Sequence, residues 1–166
     1  MSLRKGCGYE ISYGVAKPIE SIVPKEKIGV ISVFKIDDII DETRANNLSP
    51  VVLAFVGDAV YSLFVRERLV FNSDYKTGEL NKLATKEVNA IAQSEFVKEI
   101  MPLLNEKELL VYKRGRNAKK PTKSKSASVA EYNASTGFEA LLGYLYVTGN
   151  HDRINFLLNK GKNNES

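Results

Sequence analysis

The main body of this chain reads as an all-α domain, and three observations predict it. From Ile36 onward apolar residues recur at helical rather than alternating spacing. Helix-start signals stand at Ser49-Pro50 and at Asn105 with Glu108. No convincing strand pattern appears in the main body, and there is no internal repeat. At 166 residues the chain fits one domain, long enough to bury a core without staples.

The elements follow in order. Residues 1–35 differ from the rest: glycines, prolines and the short apolar alternation from Lys27 to Phe34 suggest at most a strand or hairpin, so an irregular or short-β N-terminal extension is expected. Its first three residues, Met1-Ser2-Leu3, are consistent with a cloning scar. Ile36, Ile39 and Ile40 are spaced for one face of a short helix. Ser49-Pro50 then offers an N-cap hydroxyl and a proline at the first helical position, where its missing N–H costs nothing. The helix it opens runs to about Leu69 and is apolar almost all round, which predicts a buried central helix. Two amphipathic helices are expected near 77–86 and 88–101, the second ending at Pro102. Asn105 with Glu108 reads as a capping box for a helix running into a basic stretch, whose Gly115, Pro121 and serines make its centre a loop. A second apolar helix is expected from about Ser135 to Val147, closed by Gly149, and a last short one from Arg153 to Asn159. The organisation is thus an extension over 1–35, a helical domain over 36–160 and a tail over 161–166.

Charge narrows the partner. The net charge of +4 is concentrated between Lys113 and Lys125, where Lys113, Arg114, Arg116, Lys119, Lys120, Lys123 and Lys125 fall without an acid among them. Without these seven the chain carries −3. Such a patch is the footprint of a polyanion partner, although a solvated loop has the same composition. Cys7 is the only cysteine, which excludes an internal disulfide and a Cys-based zinc site and suits a reducing compartment. No apolar run approaches the roughly 18 residues of a membrane span, and no charged start with an apolar centre marks a signal peptide. A soluble cytoplasmic protein with no membrane partner is expected.

Two acids stand out because they sit inside apolar helices. Asp58 lies in the first, with Val51, Ala54, Ser62 and Val65 near it, and Glu139 lies in the second beside Phe138, Leu141 and Leu142. Burying an ionised carboxylate without a partner costs several kcal/mol, so each must be exposed at a crevice, paired or bound to metal. For either acid alone a salt bridge or a helix-end hydrogen bond is the simpler reading. Two of them, in a chain with a separate basic loop, favour a metal: Mg²⁺ is held by one or two carboxylates with water and phosphate oxygens. Gly57 precedes Asp58 and Gly143 lies one turn after Glu139. Each costs about 1 kcal/mol in a helix relative to alanine, which points to close approach of a backbone or a ligand.

The segment Phe55-Val-Gly-Asp-Ala-Val60 resembles the signature helix of ribonuclease III, and Phe138-Glu-Ala-Leu-Leu-Gly143 resembles its second acidic helix. With Arg114-Gly-Arg-Asn-Ala118 and Tyr132 through Tyr146, the chain is similar to the Mini-III branch of that family over about Leu48 to Leu158. The resemblance implies a homodimeric, all-helical nuclease domain that uses Mg²⁺ (Mn²⁺ substituting) to cleave both strands of an RNA duplex, leaving 5′-phosphate and 3′-hydroxyl ends. It also implies a role in trimming the ends of large-subunit (23S) ribosomal RNA precursors. On this reading Asp58 and Glu139 are the catalytic metal ligands. The duplex is held by Lys113, Arg114, Arg116, Asn117, Lys119, Lys120, Lys123 and Lys125, since the stretch after Glu139 is too short for the separate RNA-binding domain of ordinary ribonuclease III. That larger family carries further acids where this chain has Val51, Ala54 and Thr136, so one well-bound metal, with a second recruited by substrate, is expected. Tyr132, Thr136 and Gln93 could act as donors behind the acids, although hydrogen bonding within the core is as good an account of them. His151, at a helix start, reads as structural. The alternative functions are a non-catalytic double-stranded-RNA-binding module on the same fold and a purely structural dimerisation domain.

Overall fold

The structure of the protein is a computed structural model, and it describes residues 39–119 and 126–160. In chain order these form α1 (Glu42–Asn47), α2 (Pro50–Asn72), α3 (Thr77–Glu87), α4 (Ala90–Ile100), α5 (Glu106–Arg116), α6 (Val129–Val147) and α7 (His151–Lys160), with a 3₁₀ turn over Met101–Leu103. No strand occurs among the described residues, so the all-α expectation holds there. The strand or hairpin expected within 1–35 lies outside them.

Most helix boundaries follow capping chemistry. The short helix expected around Ile36, Ile39 and Ile40 starts later instead, at Glu42, because Asp41 is the residue that can cap it: its carboxylate accepts from the Arg44 amide at 2.8 Å. Ile36 lies outside the described residues, and the Ile40 amide donates to the Val147 carbonyl at 2.9 Å. Pro50 opens α2 as expected, yet the Ser49 hydroxyl makes no capping bond. The helix runs past Leu69 to Asn72, with the Asn72 and Ser73 side chains donating to the carbonyls of Arg68 and Leu69. The box at the start of α5 is present in both directions, Glu108 N–H to Asn105 Oδ1 at 3.0 Å and Asn105 N–H to Glu108 Oε2 at 2.9 Å. A second box, Ser128 with Glu131, starts α6 well before Ser135. Its first turns, Val129 to Ala134, follow a run of serines and lysines and carry no dense apolar stretch, so only the capping pair marks them as helix. Before α7, Gly149 takes the left-handed conformation (φ 76°) that glycine adopts without strain.

Helix α6 is the centre of the packing. Phe138, Ala140, Leu141 and Leu142 are fully buried, and α2, α4, α5 and α7 pack around them. Tyr61 of α2 and Phe96 of α4 meet the Phe138 ring edge-on, with ring centroids 5.0 and 5.5 Å apart. Such pairs add about 0.5–1.5 kcal/mol beyond their burial. The expectation of a fully buried α2 is corrected. Leu53, Ala54, Tyr61 and Val65 are buried, but Phe55 is 81% exposed and Val52 and Leu63 are about half exposed. All-round apolarity states that both sides avoid water. It does not state that one chain covers both.

Candidate active site and nucleic-acid interface

Helices α2 and α6 approach until their backbones touch. A Cβ at Gly57 would lie 1.7 Å from the Glu139 carbonyl oxygen, and one at Gly143 would lie 1.9 Å from the Leu53 carbonyl oxygen. Neither position has room for a methyl group, which accounts for both helical glycines by close backbone approach. The consequence for the acids is direct. Asp58 follows Gly57, and Glu139 is the residue Gly57 packs on, so the two carboxylates spring from adjacent points of one helix crossing. Asp58 is exposed and Glu139 half-buried, so an ionised pair is not sealed in the core. Among the described residues no three or more His, Cys, Asp or Glu side chains form a metal-holding group. An exposed Asp58 and a half-buried Glu139 offer carboxylate oxygens of the kind Mg²⁺ takes, and that ion needs no all-protein cage.

The residues expected behind the acids are placed variously. Thr136 is buried in α6, and its hydroxyl donates to the Tyr132 carbonyl at 2.9 Å, a bond within its own helix. Tyr132 is half-buried on the same helix. Gln93 is buried in α4, and its amide donates to the Val88 carbonyl at 3.2 Å while its Oε1 has no hydrogen-bond partner. Asn89 caps α4 through the Ala92 amide. His151, at the start of α7, lies against the Tyr146 ring at 5.1 Å.

A second glycine crossing positions the basic residues. A Cβ at Gly115 of α5 would meet the Ala140 Cβ at 2.6 Å, and one at Gly137 of α6 would meet the Tyr112 ring at 2.7 Å. This brings the C-terminal turn of α5 against the same part of α6 that carries Glu139. Lys113, Arg116, Asn117 and Lys119 are exposed there. Arg114 is exposed too, but its guanidinium donates to the carbonyls of Asn46 at 2.8 Å and Leu48 at 3.2 Å and so holds the end of α1. Lys120, Lys123 and Lys125 lie outside the described residues. Lys98 of α4 shares a cleft of about 450 Å³ with Arg116 and Asn117, and the sequence offered no signal for it beyond one lysine on an amphipathic helix.

Residues 51–150 match the family model of the Ribonuclease III domain. A Mini-ribonuclease 3 from Thermoanaerobacter sp. is 48% identical over 112 residues, 68% of this chain and 79% of that relative. The Mini-ribonuclease 3 of Streptococcus pneumoniae is 44% identical over 115 residues, 68% of this chain and 90% of its own length. A crystal structure of a Fusobacterium nucleatum protein superposes with a TM-score of 0.65 at 32% identity, covering 72% of this chain and 96% of that one. The chain therefore belongs to the ribonuclease III family, in its Mini-ribonuclease 3 branch, and is an endoribonuclease. No helix among the described residues is long and apolar enough to cross a membrane.

Proposed function

We propose that this endoribonuclease is a Mg²⁺-dependent enzyme that cleaves both strands of double-stranded RNA, with large-subunit ribosomal RNA precursors as its cytoplasmic substrate. The observation that supports the reading is the α2–α6 crossing, where Gly57, the neighbour of Asp58 in sequence, packs on the Glu139 backbone. Asp58 and Glu139 would hold the ion, with Mn²⁺ an acceptable substitute. Bound there, such an ion supplies Lewis-acid stabilisation of the phosphate and a lowered pKa for attacking water. The two carboxylates also accept hydrogen bonds from nearby water and orient it towards phosphorus. An A-form duplex is recognised by shape, through phosphates and 2′-hydroxyls. Lys113, Arg116, Asn117 and Lys119, with Lys120, Lys123 and Lys125, would hold those phosphates. Arg114 would contribute mainly by fixing α1. The exposed apolar face of α2, with Val52, Phe55 and Leu63, supports a homodimer in which a second copy covers it.

The test is cleavage of a long RNA duplex with and without Mg²⁺. Asp58→Asn and Glu139→Gln should each lose activity on the order of 10³-fold, the loss of several kcal/mol of metal-derived stabilisation, while retaining RNA binding. Cleavage that survives Asp58→Asn would place the centre elsewhere. Binding without cleavage by the unmutated protein at any Mg²⁺ or Mn²⁺ concentration would favour the non-catalytic module.

A further inference from the structure

Helix α4 presents Glu95, Phe96 and Glu99 to a cleft of about 340 Å³, completed by Tyr61 and Arg68 of α2 and by Glu87 at the end of α3. The Arg68 guanidinium donates to both Glu87 oxygens, so those two charges offset each other. Glu95 and Glu99 are exposed, and no cation among the described residues pairs with either. They stand one helical turn apart, the spacing at which like charges repel. The cleft thus carries two negative charges that the described residues do not neutralise. Its inner wall is aromatic. Tyr61 is only 2% exposed, with its ring edge-on to Phe138 at 5.0 Å and tilted against Phe96 at 6.0 Å. The little surface it shows borders the cleft, and its hydroxyl has no hydrogen-bond partner among the described residues. A polar group so enclosed ordinarily has one. Burial, and after it the Glu87 charge, pushes that hydroxyl up to about 12, so it stays a neutral group that accepts as well as donates.

We propose that this cleft between α2, α3 and α4 is a binding site for a linear alkyldiammonium cation, the chemistry of a short polyamine. One ammonium group donates to Glu95 and the other to Glu99, and the Tyr61 hydroxyl accepts a further bond from one of them. Residues one turn apart on a helix have Cβ atoms about 5–6 Å apart, so two separate carboxylates meet two separate ammonium groups. The alkyl link between them lies along the Phe96 and Tyr61 rings, and an ammonium group is also attracted to an aromatic face. A divalent metal ion would use the acids but leave the aromatic wall without a role, because it takes oxygen ligands and water. The site is independent of Asp58 and Glu139 and does not rest on the RNA reading. A ligand held by α4, Tyr61 and no unfolded form stabilises the folded chain in proportion to its occupancy.

The experiment is a set of thermal melts of the full chain without RNA, titrated separately with putrescine, with KCl at equal ionic strength and with Mg²⁺, and with calorimetric titration of putrescine alongside. Putrescine should raise Tm by a few degrees in a saturable way, and KCl should not. The double variant Glu95→Gln with Glu99→Gln should abolish the rise, and each single variant should weaken binding severalfold. Tyr61→Phe keeps the ring and removes only the hydroxyl, and it should also weaken binding severalfold. Glu106→Gln changes an exposed acid outside the cleft and should leave the rise intact. A putrescine effect that KCl reproduces, or that survives the double variant, overturns the site. So does a rise given by Mg²⁺ through Glu95 and Glu99 but not by putrescine, which would make the cleft a metal site instead.

Discussion

Helix α6 meets α2 and α5 through the same device, a glycine on each side of the crossing, yet the two crossings are built differently. At α2–α6 the nearest atoms to an added Cβ are backbone: the Glu139 carbonyl for Gly57 and the Leu53 carbonyl for Gly143. At α5–α6 the nearest are side chains, the Ala140 methyl for Gly115 and the Tyr112 ring for Gly137, with backbone only slightly further off. An approach of 1.7–1.9 Å to backbone cannot be relieved without moving a whole helix, whereas the 2.6–2.7 Å approaches at α5–α6 are shallower overlaps and ask for a smaller shift. The acids are thus placed by the less forgiving joint and the basic residues by the more tolerant one. That division would suit the roles proposed for them, because ion ligation demands closer placement than contact with phosphates along a duplex.

The comparison can be broken by mutation. Gly57→Ala should cost about 3 kcal/mol or more and lower Tm on the order of 10 °C in thermal melts. Cleavage should fall further than the loss of folded protein explains, measured well below the new Tm. Arg153→Met should come next. Helix α5 has a second anchor at its N-terminus, where the Arg153 guanidinium donates to both Glu108 oxygens, at 2.7 and 2.8 Å. Removing it leaves a buried carboxylate without its charged partner, a loss of about 2–3 kcal/mol at pH 7. This pair also sets a pH dependence. Burial pushes the Glu108 carboxyl up, but the Arg153 hydrogen bond, the Asn105 amide and the Arg153 charge together bring it below its ordinary 4.5. Its folded pKa is therefore depressed. The stability it contributes is present above pH about 4.5 and is lost as pH falls through the lower folded value. Unfolding against pH should show that acid limb in the unmutated chain and a flatter one in Arg153→Met.

Gly115→Ala should cost about 1–3 kcal/mol, less than Gly57→Ala, and leave the rate at saturating RNA nearly unchanged. If Gly115→Ala and Gly57→Ala prove equally damaging to stability and rate, the two joints do not differ in kind. The smallest effect has the opposite sign. A Cβ at Gly78, in the first turn of α3, meets nothing within 4 Å, so Gly78→Ala should stabilise by about 0.4–1 kcal/mol. That result in denaturant melts would show that contact at the crossings, rather than helix propensity, governs the other glycines.

Much of this arrangement was legible along the chain. The box of Asn105 and Glu108 marked α5 correctly, because capping is a contact between residues three apart. Glycines beside Asp58 and Glu139 signalled close approach, and the approach proved to be backbone against backbone. The start of α6 was hidden, since Ser128 to Ala134 lacks the dense apolar run that marks Phe138 onward and its box follows a run of serines and lysines. The exposure of Phe55 was hidden for a different reason: apolar periodicity reports avoidance of water without naming what provides the shelter. Arg114 read as one more cation in a basic run, although its bonds reach back to Asn46 and Leu48, far off in sequence.

The sequence by itself determined the helices, the two acids set in apolar surroundings, the concentration of positive charge after Lys113 and the family motifs, all of which are patterns among near neighbours. Tertiary structure decided which glycine meets which carbonyl, which face of α2 one chain leaves uncovered, and that Lys98 and Arg116 face one cleft from different helices. Those outcomes depend on the angles and depths at which distant helices cross. Crossing geometry is fixed by side-chain volumes summed over both partners, and no local spacing records that sum.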